Sequence, residues 1–181
     1  MVFRAGTPGP SSPGEVHPGT RVADIAGYRP SSVATAVSHS AGVARIRVGI
    51  ASAEGTREHM ETQTEIYRAM ADAGVSLDMF TPLSDSLVVS VAQSSFDRAC
   101  EVLRSLDLDY EVLEGLAKVT LVGAGMHGVP GVMARMSEYL LEAGVTVLQT
   151  ADSHTTISVL VPQRDAERAV QALHDGFELR A

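Results

Sequence analysis

Apolar and polar residues first fall into a clear order at Val43, where Ile46, Val48 and Ile50 alternate with Arg45 and Arg47. A period of two is the mark of a strand with one buried face. Thr62-Gln63-Thr64-Glu65 then fits a capping box, and Ile66, Tyr67, Met70 and Ala73 follow at helical spacing up to Gly74. Two short apolar runs, Ser76 to Phe80 and Ser86 to Val91, read as strands separated by the turn-prone Pro82, Ser84 and Asp85. A helix from Phe96 to Leu106 puts Phe96, Ala99, Cys100, Leu103 and Leu106 on one face. The same order recurs: a strand at Val119 to Val122, then Pro130 at a first helical turn, then the stripe Val132, Met133, Met136, Leu140 and Ala143 ended by Gly144. Strands Thr146 to Thr150 and Thr155 to Val161 follow, and a helix runs from about Arg164 to His174.

Sliding one half onto the other by about 70 positions aligns Ala73-Gly74-Val75 with Ala143-Gly144-Val145 without a gap. The same shift pairs Val89 with Val159, Gln93 with Gln163 and Leu103 with Leu173. The chain is thus predicted to be an internal duplication of the α+β class: two tandem ferredoxin-like units, each an antiparallel sheet with its helices on one face.

Composition adjusts this picture at the N-terminal end. Four of the eight prolines and four glycines precede Thr20, so residues 1–19 are expected to be a disordered tail. Residues 20–42, small and polar with weak periodicity, read as a linker or the edge of another domain. The two units then occupy 43–115 and 116–181. With 22 acidic and 14 basic side chains the net charge is −8, which argues against nucleic acid or anionic lipid as the main partner. No run of about 18 apolar residues suggests a membrane span, and Met1 to Gly14 lacks the apolar core of a secretory signal, so a cytosolic location is the expectation. The single cysteine, Cys100, excludes an internal disulfide. Thirteen of the fourteen cations are arginines; the sole lysine is Lys118.

Candidate chemistry is sparse. Gly123-Ala124-Gly125-Met126-His127-Gly128 fits a dinucleotide fingerprint, and Asp152 lies downstream at a suitable distance. The following strand, however, turns straight back through Ala151 to His154 into a hairpin, whereas a dinucleotide site needs parallel strands. The glycines are therefore read as steric, with an alternative in which free amides at a helix N-terminus hold a small carboxylate. Asp152-Ser153-His154 has the residue types of a hydrolase triad, but neighbours on an extended hairpin point to alternate faces. The six histidines show no i, i+4 pair, and no cofactor or metal is implied.

The run Lys118 to Val132 together with Leu148 to Ser158 resembles the C-terminal ACT-domain region of bacterial aspartokinases, most closely the diaminopimelate-sensitive type. Ala71 to Asp78 resembles the helix-to-strand junction of the first ACT domain, and His39 to Val43 the segment leading into it. The Lys-x-Gly-Gly opening of the kinase domain has no counterpart here. The resemblance implies a cytoplasmic regulatory part that binds a lysine-, threonine- or diaminopimelate-type amino acid and controls aspartate phosphorylation without catalysing it. It further implies a homodimer through ACT domains and a catalytic aspartokinase subunit as partner. The implied effector positions are Met60, Gln63, Ser76, Leu77 and Asp78 in the first repeat. In the second they are Gly125, Met126, His127, Gly128, Val129, Pro130, Gly131, Gln149, Thr150, Asp152 and Ser153. Asp78 or Asp152 would pair with the effector's ammonium and loop amides would take its carboxylate. A ligand-free dimerisation scaffold, or a truncated aspartokinase fragment, is the alternative.

Overall fold

The structure, a computed structural model, describes residues 33–179 except Gly125, His127 and Gly128. The expected tail at 1–19 lies outside the described residues. Six strands and four helices follow in the order β1 (Ala36–Gly49), α1 (Arg57–Asp72), β2 (Phe80–Pro82), β3 (Ser86–Ala92), α2 (Phe96–Ser105), β4 (Tyr110–Val122), α3 (Val132–Glu142), β5 (Gln149–Asp152), β6 (Thr156–Pro162) and α4 (Ala166–Gly176). All strands join one antiparallel sheet of order β2-β3-β1-β4-β6-β5.

Each repeat builds its own core from alternate residues of its strands. Ala44, Ile46 and Val48 of β1 and Leu87, Val89 and Val91 of β3 pack under Ile66 and Met70 of α1 and Ala99 and Leu103 of α2. Ala117, Val119 and Leu121 of β4 and the β6 residues Ile157, Val159 and Val161 pack under Met136 and Leu140 of α3 and Ala169 and Leu173 of α4. The intervening strand residues point the other way, and Val43, Leu116 and Leu160 join Met79 in a third cluster on the helix-free face.

The repeats are not strung end to end. β1 and β4 are the two long central strands, and each serves both units. The second half of β1 pairs with β3, while its first half, Ala36 to Ala41, pairs with Val122 to Ala117 of β4. The border expected at Val43 therefore falls inside a strand, and residues 36–42, assigned to a linker, supply the outer strand of the second unit. The border expected at 115/116 likewise lies within β4. Both strands break register near this crossing, at Ala41/Val43 and Val43/Arg45, where Gly42 and Gly115 take φ of +71° and +70°. Only glycine enters that region cheaply, so the bulges that let one strand serve two units sit on glycine.

Helix α1 starts earlier than the capping box suggests. Thr56 is its N-cap, accepting a hydrogen bond from the His59 amide at 3.2 Å, and Thr62 lies a turn inside, donating to the Glu58 carbonyl. The runs at 76–80 and 146–150 are also only partly strand: β2 begins at Phe80 and β5 at Gln149, preceded by isolated bonds from Asp78 N to Ser90 O and Leu148 N to Leu160 O.

β2 and β5 are farthest apart in the strand order, yet they meet. Gln149 Nε2 donates to Thr81 Oγ1 at 3.0 Å, Arg45 Nη1 donates to the Leu148 carbonyl at 3.0 Å, and Lys118 Nζ pairs with the Asp78 carboxylate at 2.6 Å. The sheet is curled until its edges close over the third cluster.

Candidate functional site

In the second repeat β4 ends at Val122 and α3 begins at Val132. Gly123 N donates to Thr155 O at 2.9 Å, tying the loop's start to the β5–β6 turn. A Cβ on Gly123 would lie 1.8 Å from Val33 O, because the chain entering β1 crosses directly over this residue. The first glycine of the fingerprint is thus explained by a backbone crossing. Met126 is 5% exposed and belongs to the repeat's core, so this expected effector contact is a packing residue. Val129 is half-buried against the same core and donates its amide to Met126 O, while Pro130 is exposed. Gly131, at φ +86°, is the N-cap of α3 and brings no side chain to the helix's first amides. Gly125, His127 and Gly128 lie outside the described residues.

The β5 positions divide by face. Thr150 and Asp152 stand opposite the core residues Val159 and Ile157, on the side of the helices, and both are exposed. Gln149 points to the helix-free face, toward Thr81. Ser153 Oγ orders the turn, accepting from the Thr155 and Thr156 amides at 3.3 and 3.1 Å and sharing a hydrogen bond with Thr156 Oγ1. This local bonding accounts for the place of Ser153 in the turn.

The first repeat differs. Its strand-to-helix loop spans 50–56, so Met60 and Gln63 stand on the body of α1. Met60 is 63% exposed. His59 is buried with Nδ1 3.0 Å from Ser52 O; a carbonyl only accepts, so Nδ1 donates and Nε2 takes the bond from Gln63 Nε2, also 3.0 Å. Gln63 thus steadies a core histidine. Leu77 packs against the first core, Ser76 is exposed, and Asp78 is held by Lys118. The second repeat thus leaves its helix without a side-chain cap where Thr56 caps α1. Asp152 is exposed on the helix side, at the position that Pro82 holds in the first repeat, whereas Asp78 pairs with Lys118.

Arg45 and Arg47, the polar positions of the alternating pattern in β1, line the helix-free face. Arg47 forks onto Asp85, with Nη2 at 3.2 and 3.0 Å from its two oxygens, and Nε reaches Ser86 Oγ. The Ser86 hydroxyl first, then Arg47, hold the Asp85 carboxyl below the usual carboxylate range.

Residues 111–175 match the family model described as ACT domain. Aspartokinase 1 of Bacillus subtilis is 45% identical over 117 residues, which cover 65% of this chain and 29% of that protein. The aspartokinase of Mycolicibacterium smegmatis is 32% identical over 161 residues, 82% of this chain and 37% of that one. The chain thus spans roughly a third of the curated relatives it matches. A crystal structure of the regulatory subunit of aspartate kinase from Thermus thermophilus, in ligand-free form, superposes with a TM-score of 0.71 at 26% identity, covering 80% of this chain and 99% of that one. A crystal structure of aspartokinase alpha and beta subunits also scores 0.71 at 26% identity. Fold and matched residues together make this an ACT-domain chain with two such units sharing one sheet. Within that class it corresponds to the C-terminal regulatory ACT region of the aspartokinases. No helix among the described residues is long and apolar enough to cross a membrane.

Proposed function

We propose that the chain senses an amino acid of the lysine, threonine or diaminopimelate kind and, as a homodimer joined to a catalytic aspartokinase subunit in the cytoplasm, relays its concentration to aspartate phosphorylation. The observation that carries this reading is the difference between the repeats. At the second, the α3 N-terminus has no side-chain cap, which suits it to a carboxylate, and exposed Asp152 stands on the same side of the sheet to take an ammonium. At the first, Thr56 caps α1 and Lys118 occupies Asp78. The second repeat is accordingly the effector site and the first is structural. Binding would act by favouring one packing of the regulatory dimer over another.

Calorimetry with diaminopimelate, lysine and threonine tests this. At least one should bind at millimolar concentration or below, Asp152→Ala should weaken it about tenfold, and Asp78→Ala should leave it nearly unchanged. Silence with all three sinks the reading.

A ligand-free scaffold is the second reading, and one observation favours it: Asp78 and Ser153 spend their side chains on bonds within the chain, and Gln149 commits its amide nitrogen to Thr81. In that case none of the three ligands binds, and Asp152→Ala changes neither ligand response nor co-purification with a catalytic subunit.

A further inference from the structure

We propose that the open edge of β4 from Tyr110 to Gly115 is a docking site for an extended, basic segment of a protein partner, which adds to the sheet as a further strand. β1 runs along one side of β4 for its whole length, whereas β6 flanks the other side only from Leu116 to Val122. Among the described residues no strand pairs with the remaining half on that side. The bond from Gly49 N to Asp109 O fixes the phase of the ladder: Glu111 and Leu113 turn their peptide groups toward β1, so Tyr110 and Val112 turn theirs outward. An unpaired row of donors and acceptors is a template for strand addition. This edge belongs to the first repeat, so it stands apart from the effector site proposed above at α3.

Side chains decide what can add. Val112 stands opposite Ile46 on the helix side and is 45% exposed, and Leu113 stands opposite Arg45 on the helix-free side and is 38% exposed. The other open half-strand, Ala36 to Ala41 of β1, offers one half-buried valine among alanine, serine and histidine, so it lacks this apolar grip. Charge sets the sign of the partner. Asp109, Glu111 and Glu114 lie along the edge, all exposed, and no lysine or arginine occurs from 105 to 117. Arg47, opposite Glu111, is committed to the Asp85 carboxylate, and Glu114 is met by the neutral amide of Gln93. A second copy added here would crowd these three carboxylates from each chain into one ribbon, and like charges across strands destabilise it. A cleft of about 270 Å³ beside the start of the strand, lined by Asp109 and Glu111 with the paired Arg47 and Asp85, has room for a cationic head group. Because side chains alternate along a strand, the fitting segment places cations on the helix-free face, toward Asp109 and Glu111, and β-branched apolar residues toward Val112.

The probe is a blocked octapeptide alternating lysine and valine, added to the full chain while amide hydrogen exchange is followed by proton–nitrogen NMR. The Tyr110 and Val112 amides should exchange freely in the chain alone and about tenfold more slowly, or better, with the peptide bound. A glutamate-valine octapeptide tests for apolar adhesion alone, and a lysine-valine peptide N-methylated on alternate residues tests for charge without strand addition; neither should protect these amides. Glu111→Lys should weaken binding about tenfold by turning an attraction into a repulsion. Val112→Pro removes an outward donor, which an edge strand tolerates, and should weaken binding as well, so the outcome does not hang on a single variant. The idea is overturned if the lysine-valine peptide leaves both amides unprotected, or if either control peptide protects them equally. It is also overturned if both amides already exchange slowly in the chain alone, which would give the edge to a second copy or to the chain itself.

Discussion

Gly123→Ala is the sharpest test of why the glycine run exists. The new methyl carbon would sit 1.8 Å from Val33 O, 2.8 Å from Val33 C and 2.9 Å from Ala34 Cα. All three are backbone atoms, so no rotamer change relieves the overlap and the segment 33–35 must lift away from β4. Lifting it exposes Val33, now 1% exposed within the second core, and strains the 2.7 Å bond from Thr35 N to Val122 O. Burial of a valine is worth about 1.5–3 kcal/mol and the hydrogen bond about 1 kcal/mol, so the variant should lose about 3 kcal/mol. Urea denaturation followed by circular dichroism measures this directly. A loss below about 1 kcal/mol would refute the crossing argument. It would return the glycine to the alternatives, a phosphate or carboxylate cradle, in which an added methyl costs binding and not stability.

Gly176→Ala should also destabilise, because its Cβ would meet Tyr139 Cδ2 at 2.4 Å in a ring held edge-on to Phe177 and under the Arg135 guanidinium. Overpacking of about 1–3 kcal/mol should outweigh a helix-propensity gain of about 1 kcal/mol in the same denaturation assay. Thr56→Ala removes the α1 cap and should lower stability by about 1 kcal/mol, whereas Thr62→Ala should change little, since Thr62 is not a cap. Asp85 has a folded pKa below its unfolded value, so its contribution is present above the ordinary carboxylate range and is lost as pH falls through the lowered folded pKa. Asp85→Asn should therefore flatten the acid limb of a pH series of urea midpoints, and an unchanged limb counts against the Arg47–Ser86 fork.

The duplication, the α+β class and the helix faces could be read from sequence because each core residue recurs at the period of its element. The first two turns of α1 could not: between Arg57 and Glu65 only His59 is buried, so no apolar stripe marks them, and Thr62 with Glu65 imitates a cap further on. Residues 36–41 hid for a similar reason. They form an exposed half-strand of alanine, serine and histidine in which Val37 alone packs against a core. At the candidate site the sequence places Asp152 beside a turn, but the capture of Asp78 by Lys118 joins residues 40 positions apart and that of Gln149 by Thr81 spans 68. Both depend on the curl of a six-stranded sheet, which no local pattern encodes.

Shared strands also make the repeats unequal as folding units, and this can be measured. Cutting at 115/116 leaves the first unit with β1, β2, β3 and the 110–115 half of β4, its full set of strand partners. The second unit, 116–179, loses the strand Ala36 to Ala41 and with it Val33, Ala34 and Val37 from its core. Burying side chains of this size is worth about 1.5–3 kcal/mol for each valine, against a domain's whole stability of about 5–15 kcal/mol. The edge of β4 would also be left unpaired, inviting aggregation. The isolated 116–179 fragment should therefore show poor dispersion in its proton–nitrogen NMR spectrum, and adding the segment 33–42 as a peptide should restore it. A well-folded 116–179 fragment would mean that the second unit carries its own stability. The central strands would then be a seam between two domains and not their common frame, and a ligand at the α3 loop would lose its direct structural route to the first repeat.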